Sequence, residues 1–194
     1  MKRCDWCGTL PIYVAYHDEE WGVPEVNSRA LWEKLILDGF QAGLSWITIL
    51  KKRENFRQAF QGFNPEVIAS WGAPEVEALL QDSGIIRHRG KIEGTILSAR
   101  AYLEVQSREG FAPFLWNFVD GAPIQTEASH ISQIPTQSEA SVKMAKALKA
   151  RGFKFCGPTI TYAFMQACGL VNDHLTTCHC HERIRALGGP QTLS

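Results

Sequence analysis

Asp38-Gly39-Phe40-Gln41-Ala42-Gly43-Leu44-Ser45-Trp46, running on into residues 47–50, decides how this 194-residue chain is read. Upstream of it Leu31, Trp32, Leu35 and Ile36 recur at i, i+1, i+4 and i+5, one apolar face of a helix whose start Asn27 or Ser28 can cap. Downstream, Ile49, Leu50, Phe56 and Phe60 trace a second apolar face, interleaved with Lys51, Lys52, Arg53 and Arg57. The stretch is therefore a break between two helices. It holds glycines, an exposed-looking Leu44 between Gly43 and Ser45, the carboxylate of Asp38 upstream and the indole of Trp46 downstream. Glycine lets backbone come close to a ligand, and a carboxylate beside an aromatic ring can cradle a flat, polar or cationic group. The same residues also read as a tight interhelical turn with Trp46 in the core.

Helix signals continue on both sides, and the fold class expected is all-α. Asn64-Pro65 and Ala73-Pro74 place proline where helices begin, with Gly84 as the stop for the second. Ile92, Ile96, Ala99 and Leu103 form the apolar stripe of the next helix, which Gly110 ends, and Phe111 to Val119 reads as a short helix closed at Asp120-Gly121. Residues 121–137, with Pro123 and Pro135, are expected to be a loop between lobes. Thr136 and Glu139 fit a capping box for a helix closed by Gly152, and Gly157-Pro158 opens a last helix through Cys168, with Gly169 as its stop. No alternating strand and no internal repeat is apparent.

Twenty basic residues balance twenty acidic ones, so net charge gives no hint of nucleic acid. Local clusters do: Arg87, Arg89 and Lys91 crowd five positions, and Lys143, Lys146, Lys149, Arg151 and Lys154 follow one another without an intervening acid. These also read as solvated helix faces. No apolar run approaches the ~18 residues of a membrane helix and no leader pattern is visible, so a soluble cytoplasmic protein with no membrane partner is expected. There, six cysteines point to free thiols or metal ligands.

Cys4 and His17 lie near one end of the chain, and His174 and Cys178, four residues apart, near the other. Two cysteines with two histidines make a common structural zinc set, but Cys7, His179, Cys180 and His181 compete and spacing alone does not choose. Residues 79–92 have the organisation of a helix, a glycine-bounded turn at Gly84 to Gly90 and a second helix. Such a turn either aims backbone N–H groups at a phosphate or merely connects two helices.

Three further stretches join these: Ala15-Tyr16-His17-Asp18-Glu19-Glu20-Trp21-Gly22-Val23-Pro24, Arg151-Gly152-Phe153-Lys154-Phe155-Cys156-Gly157, and Phe164 through His174. With residues 41–46 and the hairpin, in order from about Arg3 to Cys178, they resemble the type I 3-methyladenine DNA glycosylases, helix-hairpin-helix repair enzymes. The resemblance implies two helical lobes in one domain over 1–182, with 183–194 a tail. It also implies one structural zinc on Cys4, His17, His174 and Cys178, and no organic cofactor. The base pocket would fall on Asp38, Tyr16 and Trp46, with Trp6, Tyr13 and Trp21 nearby. Leu44, beside Gly43, would fill the gap left by an extruded nucleotide, and Gly84, Arg87, Arg89, Gly90 and Lys91 would grip phosphates. The family pattern has glutamate where this chain has Asp38, a retreat of roughly 1.5 Å that strains a direct hydrogen bond.

The implied activity is monofunctional hydrolysis of the N-glycosidic bond of 3-methyladenine in double-stranded DNA by a monomer, releasing the free base for base excision repair. Methylation at N3 makes the base a cation and a good leaving group, so binding and positioning carry most of the catalysis. Asp120 reads as turn chemistry and supplies no catalytic carboxylate. The competing expectations are a non-catalytic, zinc-stabilised binder of alkylated or distorted DNA, and a glycosylase for a different alkylated purine.

Overall fold

The computed structural model describes residues 1–189, and over these it is helical as expected. In chain order the helices are α1 (Pro11–Ala15), α2 (Ser28–Gln41), α3 (Trp46–Ala59), α4 (Pro65–Ala69), α5 (Ala73–Gln81), α6 (Arg89–Arg108), α7 (Phe111–Trp116), α8 (Glu139–Ala150), α9 (Pro158–Ala167) and α10 (His181–Ala186). No helix among the described residues is long and apolar enough to cross a membrane.

Helix α2 is the central element, packing against α3, α6, α7 and α9. Its apolar positions dictate this: Leu31, Trp32, Leu35, Ile36, Leu37 and Phe40 are all buried. Asn27 caps it, its side-chain oxygen accepting from the N–H groups of Arg29 and Ala30 at 2.9 and 3.0 Å. Phe40 meets Phe56 of α3 at 4.7 Å between ring centroids, and Phe60 stacks on Phe63 at 5.6 Å. Each such ring contributes about 1.5–3 kcal/mol by leaving water. This core fixes where α2 stops and α3 starts, and so where the break between them is held.

Four sequence expectations are corrected. Helix α5 stops at Gln81, short of Gly84, because Asp82 leaves the helix and its Oδ1 accepts from Gly84 N–H at 2.7 Å, making the turn itself. The cap of α8 is Ser138 rather than Thr136: its hydroxyl accepts from Ser141 N–H at 3.1 Å while Ser141 Oγ accepts from Ser138 N–H at 2.8 Å. Glu139 is left to pair with Lys143 at 2.6 Å. Among the described residues there are two strands, β1 (Ile124–Gln125) and β2 (Val171–Asn172), in a parallel bridge too short for alternation to show in the sequence. Finally, α9 is not last, since α10 follows and straddles the expected tail boundary at 182/183. Residues 190–194 of that tail lie outside the described residues.

At Gly169 the chain must be glycine. Its φ is +71°, and a Cβ there would stand 2.4 Å from Pro24 N. The close approach seats the turn after α9 on residues 22–24, and Glu25 N–H donates to Cys168 O at 3.0 Å beside it. The bridge between Ile124 and Val171 draws the loop of residues 121–137 to the same place.

Candidate active site and metal cluster

Both candidate sites start from one local irregularity. Helix α1 widens into a π turn over Tyr16–Glu20, closed by Trp21 N–H donating to Tyr16 O at 2.9 Å. Consecutive residues thereby serve different sites: Tyr16 lines a pocket and His17 enters a cluster of metal-ligating side chains.

The pocket, about 240 Å³, is lined by all six residues expected to form it: Asp38, Tyr16, Trp46, Trp6, Tyr13 and Trp21. Trp6 sits edge-on to Tyr13 at 5.1 Å and to Trp21 at 5.0 Å, and Tyr16 lies 5.4 Å from Trp46. Asp38 is 1% exposed and faces this space. Burial pushes its carboxyl above the usual range against the pull of Lys34, and burial, then Asp38, pushes the Tyr16 phenol up. Its Oδ2 and the indole Nε1 of Trp46 are buried without a hydrogen-bond partner. Such unfinished polar atoms at the wall of a pocket suit a polar, planar occupant.

The sequence reading missed Lys34. Its Nζ stands 2.5 Å from Asp38 Oδ1 and 3.9 Å from the centroid of the Trp46 ring. The signal was available, because a lysine four residues before an aspartate in a helix shares its face. Gln41 also lines the pocket, with Ile131 and Ile134 from the loop of residues 121–137 and Gln166 from α9. Gln166 is oriented by Asp173, whose Oδ2 accepts from Gln166 Nε2 and from Tyr162 Oη, both at 2.7 Å.

Cys4, His17, His174 and Cys178 are all buried, with their ligand atoms within 4.8 Å of one another. Cys178 Sγ lies 3.6 Å from His17 Nε2 and 3.6 Å from His174 Nδ1, and Cys4 Sγ lies 3.8 Å from His174 Nδ1. A zinc tetrahedron with bonds of about 2.0–2.3 Å has edges of about 3.3–3.8 Å, and these three separations match its edges. The remaining ring nitrogens are committed outward: His17 Nδ1 donates to Asp18 Oδ1 at 2.8 Å and His174 Nε2 to Trp21 O at 2.9 Å. That choice of tautomer leaves a lone pair on each histidine facing the sulfurs. Asp18 is itself held at about 2 by the Arg3 guanidinium, which donates at 2.7 Å. Gly22 leaves room for His174, since a Cβ there would lie 3.1 Å from its Cδ2. The hydrogen bond between the two sulfurs pushes the Cys178 thiol down and the Cys4 thiol up. Of the competitors, Cys7 lies outside this set, His179 Nδ1 is bound to Lys2 O at 2.9 Å, and His181 Nδ1 to His174 O at 2.7 Å.

At the α2–α3 break Gly43 has φ +82° and Leu44 is 42% exposed, as its place between helices suggested. The turn between α5 and α6 is anchored from α3, with Lys52 Nζ donating to Ser83 O at 2.8 Å and to Gly84 O at 3.2 Å. Arg87 is exposed beside it. The other two cations expected to grip phosphate are engaged elsewhere. Arg89 pairs with Glu77 at 2.7 Å and Glu93 at 3.8 Å. Lys91 is 7% exposed and turned inward, its ammonium donating to Phe40 O at 2.9 Å and Ala42 O at 2.6 Å. It closes the carbonyl end of α2, two residues before Leu44, because those last carbonyls have no helical partner.

A helical chain with an aromatic, carboxylate-bearing pocket at a helix break, and a helix-turn-helix beside it, has the shape expected of a DNA base glycosylase. The methyladenine glycosylase family model matches residues 6–181, and the chain belongs to that family. The chain is 56% identical to DNA-3-methyladenine glycosylase 1 of Escherichia coli (strain K12) over 182 residues, 93% of this chain and 97% of that one. It is 50% identical to DNA-3-methyladenine glycosylase of Haemophilus influenzae over 179 residues, 92% and 97% of the two chains. A crystal structure of 3-methyladenine DNA glycosylase I matches with TM-score 0.92 at 60% identity, covering 93% of this chain and all of that one. A variant of such an enzyme, in complex with 3-methyladenine, matches with TM-score 0.90 at 37% identity, covering 93% and 98%.

Proposed function

We propose that this chain is a base-excision-repair DNA glycosylase that hydrolyses the N-glycosidic bond of 3-methyladenine in alkylated double-stranded DNA and releases the free base. The observation that carries this reading is the convergence of Tyr16, Trp46 and Asp38 on one pocket, at a helix break carrying an exposed Leu44, in a member of this family. In the reaction the C1′–N9 bond breaks and its electron pair goes to the base, which leaves neutral. Water adds at C1′ and gives up a proton. The chain's own part is to take the extruded base between rings, hold the Asp38 charge near it and keep bulk water out. Trp6, Tyr13 and Trp21 support that enclosure. Leu44 and Gly43 enter the duplex where the nucleotide leaves. No lyase step is assigned, since the Lys34 amine in this pocket is engaged by Asp38 at 2.5 Å.

The turn from Gly84 to Gly90 is read as a helix-hairpin-helix contact to phosphate, made by backbone N–H groups with Arg87, and with Arg89 once it exchanges its exposed pair with Glu77 for a phosphate. Lys91 acts from inside by fixing the end of α2. Cys4, His17, His174 and Cys178 would hold one zinc, whose four protein ligands make it structural. Residues 1–182 with α10 work as one monomeric domain, in the cytoplasm where DNA is reached. The test is release of free 3-methyladenine from methylated duplex DNA, resolved by chromatography. Binding without release would support the non-catalytic reading instead, and release of another methylated purine alone would change the lesion.

A further inference from the structure

We propose that Lys34 is a specificity-determining residue of the base pocket: its ammonium holds the cation seat between Asp38 and Trp46, and only a cationic base displaces it without loss. The inference rests on the base-pocket reading above. Lys34 Nζ makes, at 2.5 and 3.9 Å, the two contacts that a positively charged purine would need, a carboxylate and an indole face. One ammonium and one carboxylate sum to zero. The field of such a close pair falls off quickly beyond it, so the pull of Asp38 on a second cation is cancelled while Lys34 stays. Entry of the base is therefore an exchange.

The structure supplies a destination for the displaced group. Lys34 also lines a neighbouring cleft of about 320 Å³ whose wall carries four carboxylates, Glu19, Glu20, Glu25 and Glu33, against the two guanidiniums of Arg53 and Arg57. Arg53 and Arg57 already pair with Glu20 and Glu33 at 2.5 and 2.8 Å, and Glu25 accepts from Asn27 N–H at 2.7 Å, so these carboxylates are fixed in place. The flexible lysine stem can swing between the two spaces. A cationic base then replaces the ammonium on Asp38, and the fully buried carboxylate keeps a partner. A neutral base of the same shape would leave that carboxylate buried and unpaired, which is costly. Lys34 thus turns Asp38 from a simple attractor into a filter for charge.

The experiment compares the methylated duplex with one carrying 3-deaza-3-methyladenine, an uncharged isostere of the lesion. In Lys34→Met, Asp38 can hold a proton and the filter is lost. The Kd of the neutral duplex should fall about tenfold, so that the ratio of the neutral to the cationic Kd narrows. Asp38→Asn should lose the same discrimination, and Lys34→Met/Asp38→Asn should lose no more than either alone, because the pair acts as a unit. Unchanged discrimination in Lys34→Met, or losses that add in the double variant, would overturn the proposal. Lys34→Gln repeats the measurement should the methionine variant melt early. The neutral-duplex arm is read without turnover, so it separates from the assay on the unaltered chain: failure of that chain to excise 3-methyladenine defeats the glycosylase reading, not this one.

Discussion

The Cys/His cluster and the aromatic pocket lie back to back on the same π turn, yet they are built on opposite rules. In the cluster every ring nitrogen is committed: His17 is held by Asp18, and His174 by the Trp21 carbonyl. The pocket keeps loose ends instead, with Asp38 Oδ2 and Trp46 Nε1 unpartnered and a lysine seated among the rings. The difference separates a place that must never rearrange from one that must change occupant. Unsatisfied buried atoms cost stability, and a fold retains them where a ligand will complete them.

The largest way to break the contrast is to remove a ligand of the cluster. His174→Ala is expected to lose zinc on elemental analysis and to lower stability by at least ~3 kcal/mol, about 6–12 °C in Tm for a chain of this size. Retained zinc with an unchanged melt would show that the four side chains only pack. A middle-sized effect is expected in the pocket. Asp38→Asn should cut kcat/KM for 3-methyladenine by roughly tenfold, about 1.4 kcal/mol, whereas Asp38→Glu should keep or improve it. If neither substitution alters excision, the pocket works through Tyr16 and Trp46 alone.

The smallest effect sharpens the contrast and has the opposite sign. The Asp38 carboxyl is raised by burial, so its contribution to stability is present below the unfolded value near 4 and is lost as pH rises through the folded value. Asp38→Asn mimics the protonated form. It should therefore melt slightly higher than the parent at pH 7, and the gap should close as pH falls towards 4. A gap that widens in acid would mean that the Lys34 pair stabilises the fold.

What the sequence made legible followed from periodicity and punctuation. The apolar faces of α2 and α3, the prolines opening α4, α5 and α9, and the glycines after α6 and α9 are local signals, and the helices stand where those signals put them. The six aromatic and acidic pocket residues came from motif resemblance and meet in space. The missed elements are those that local signals do not encode. The π turn differs from a helix by one hydrogen bond, and the bridge of Ile124 to Val171 joins residues far apart in the chain. Ile131 and Ile134 reach the pocket from a segment with no period at all. Lys91 was misplaced for a different reason: a lysine in a basic cluster looks solvent-facing unless one knows that α2 ends with bare carbonyls beside it.

The sharing of one turn by Tyr16 and His17 sets how this protein can vary over time. Exchanging either side chain removes a member of one site and leaves the other's own side chains in place. Inserting or deleting a single residue there is another matter, because each step along a helix rotates the chain by roughly 100° and both side chains would leave their stations together. The length of residues 11–21 is therefore more tightly constrained than their identity. Descendants of this chain can be expected to differ there by replacement, and almost never by a gap.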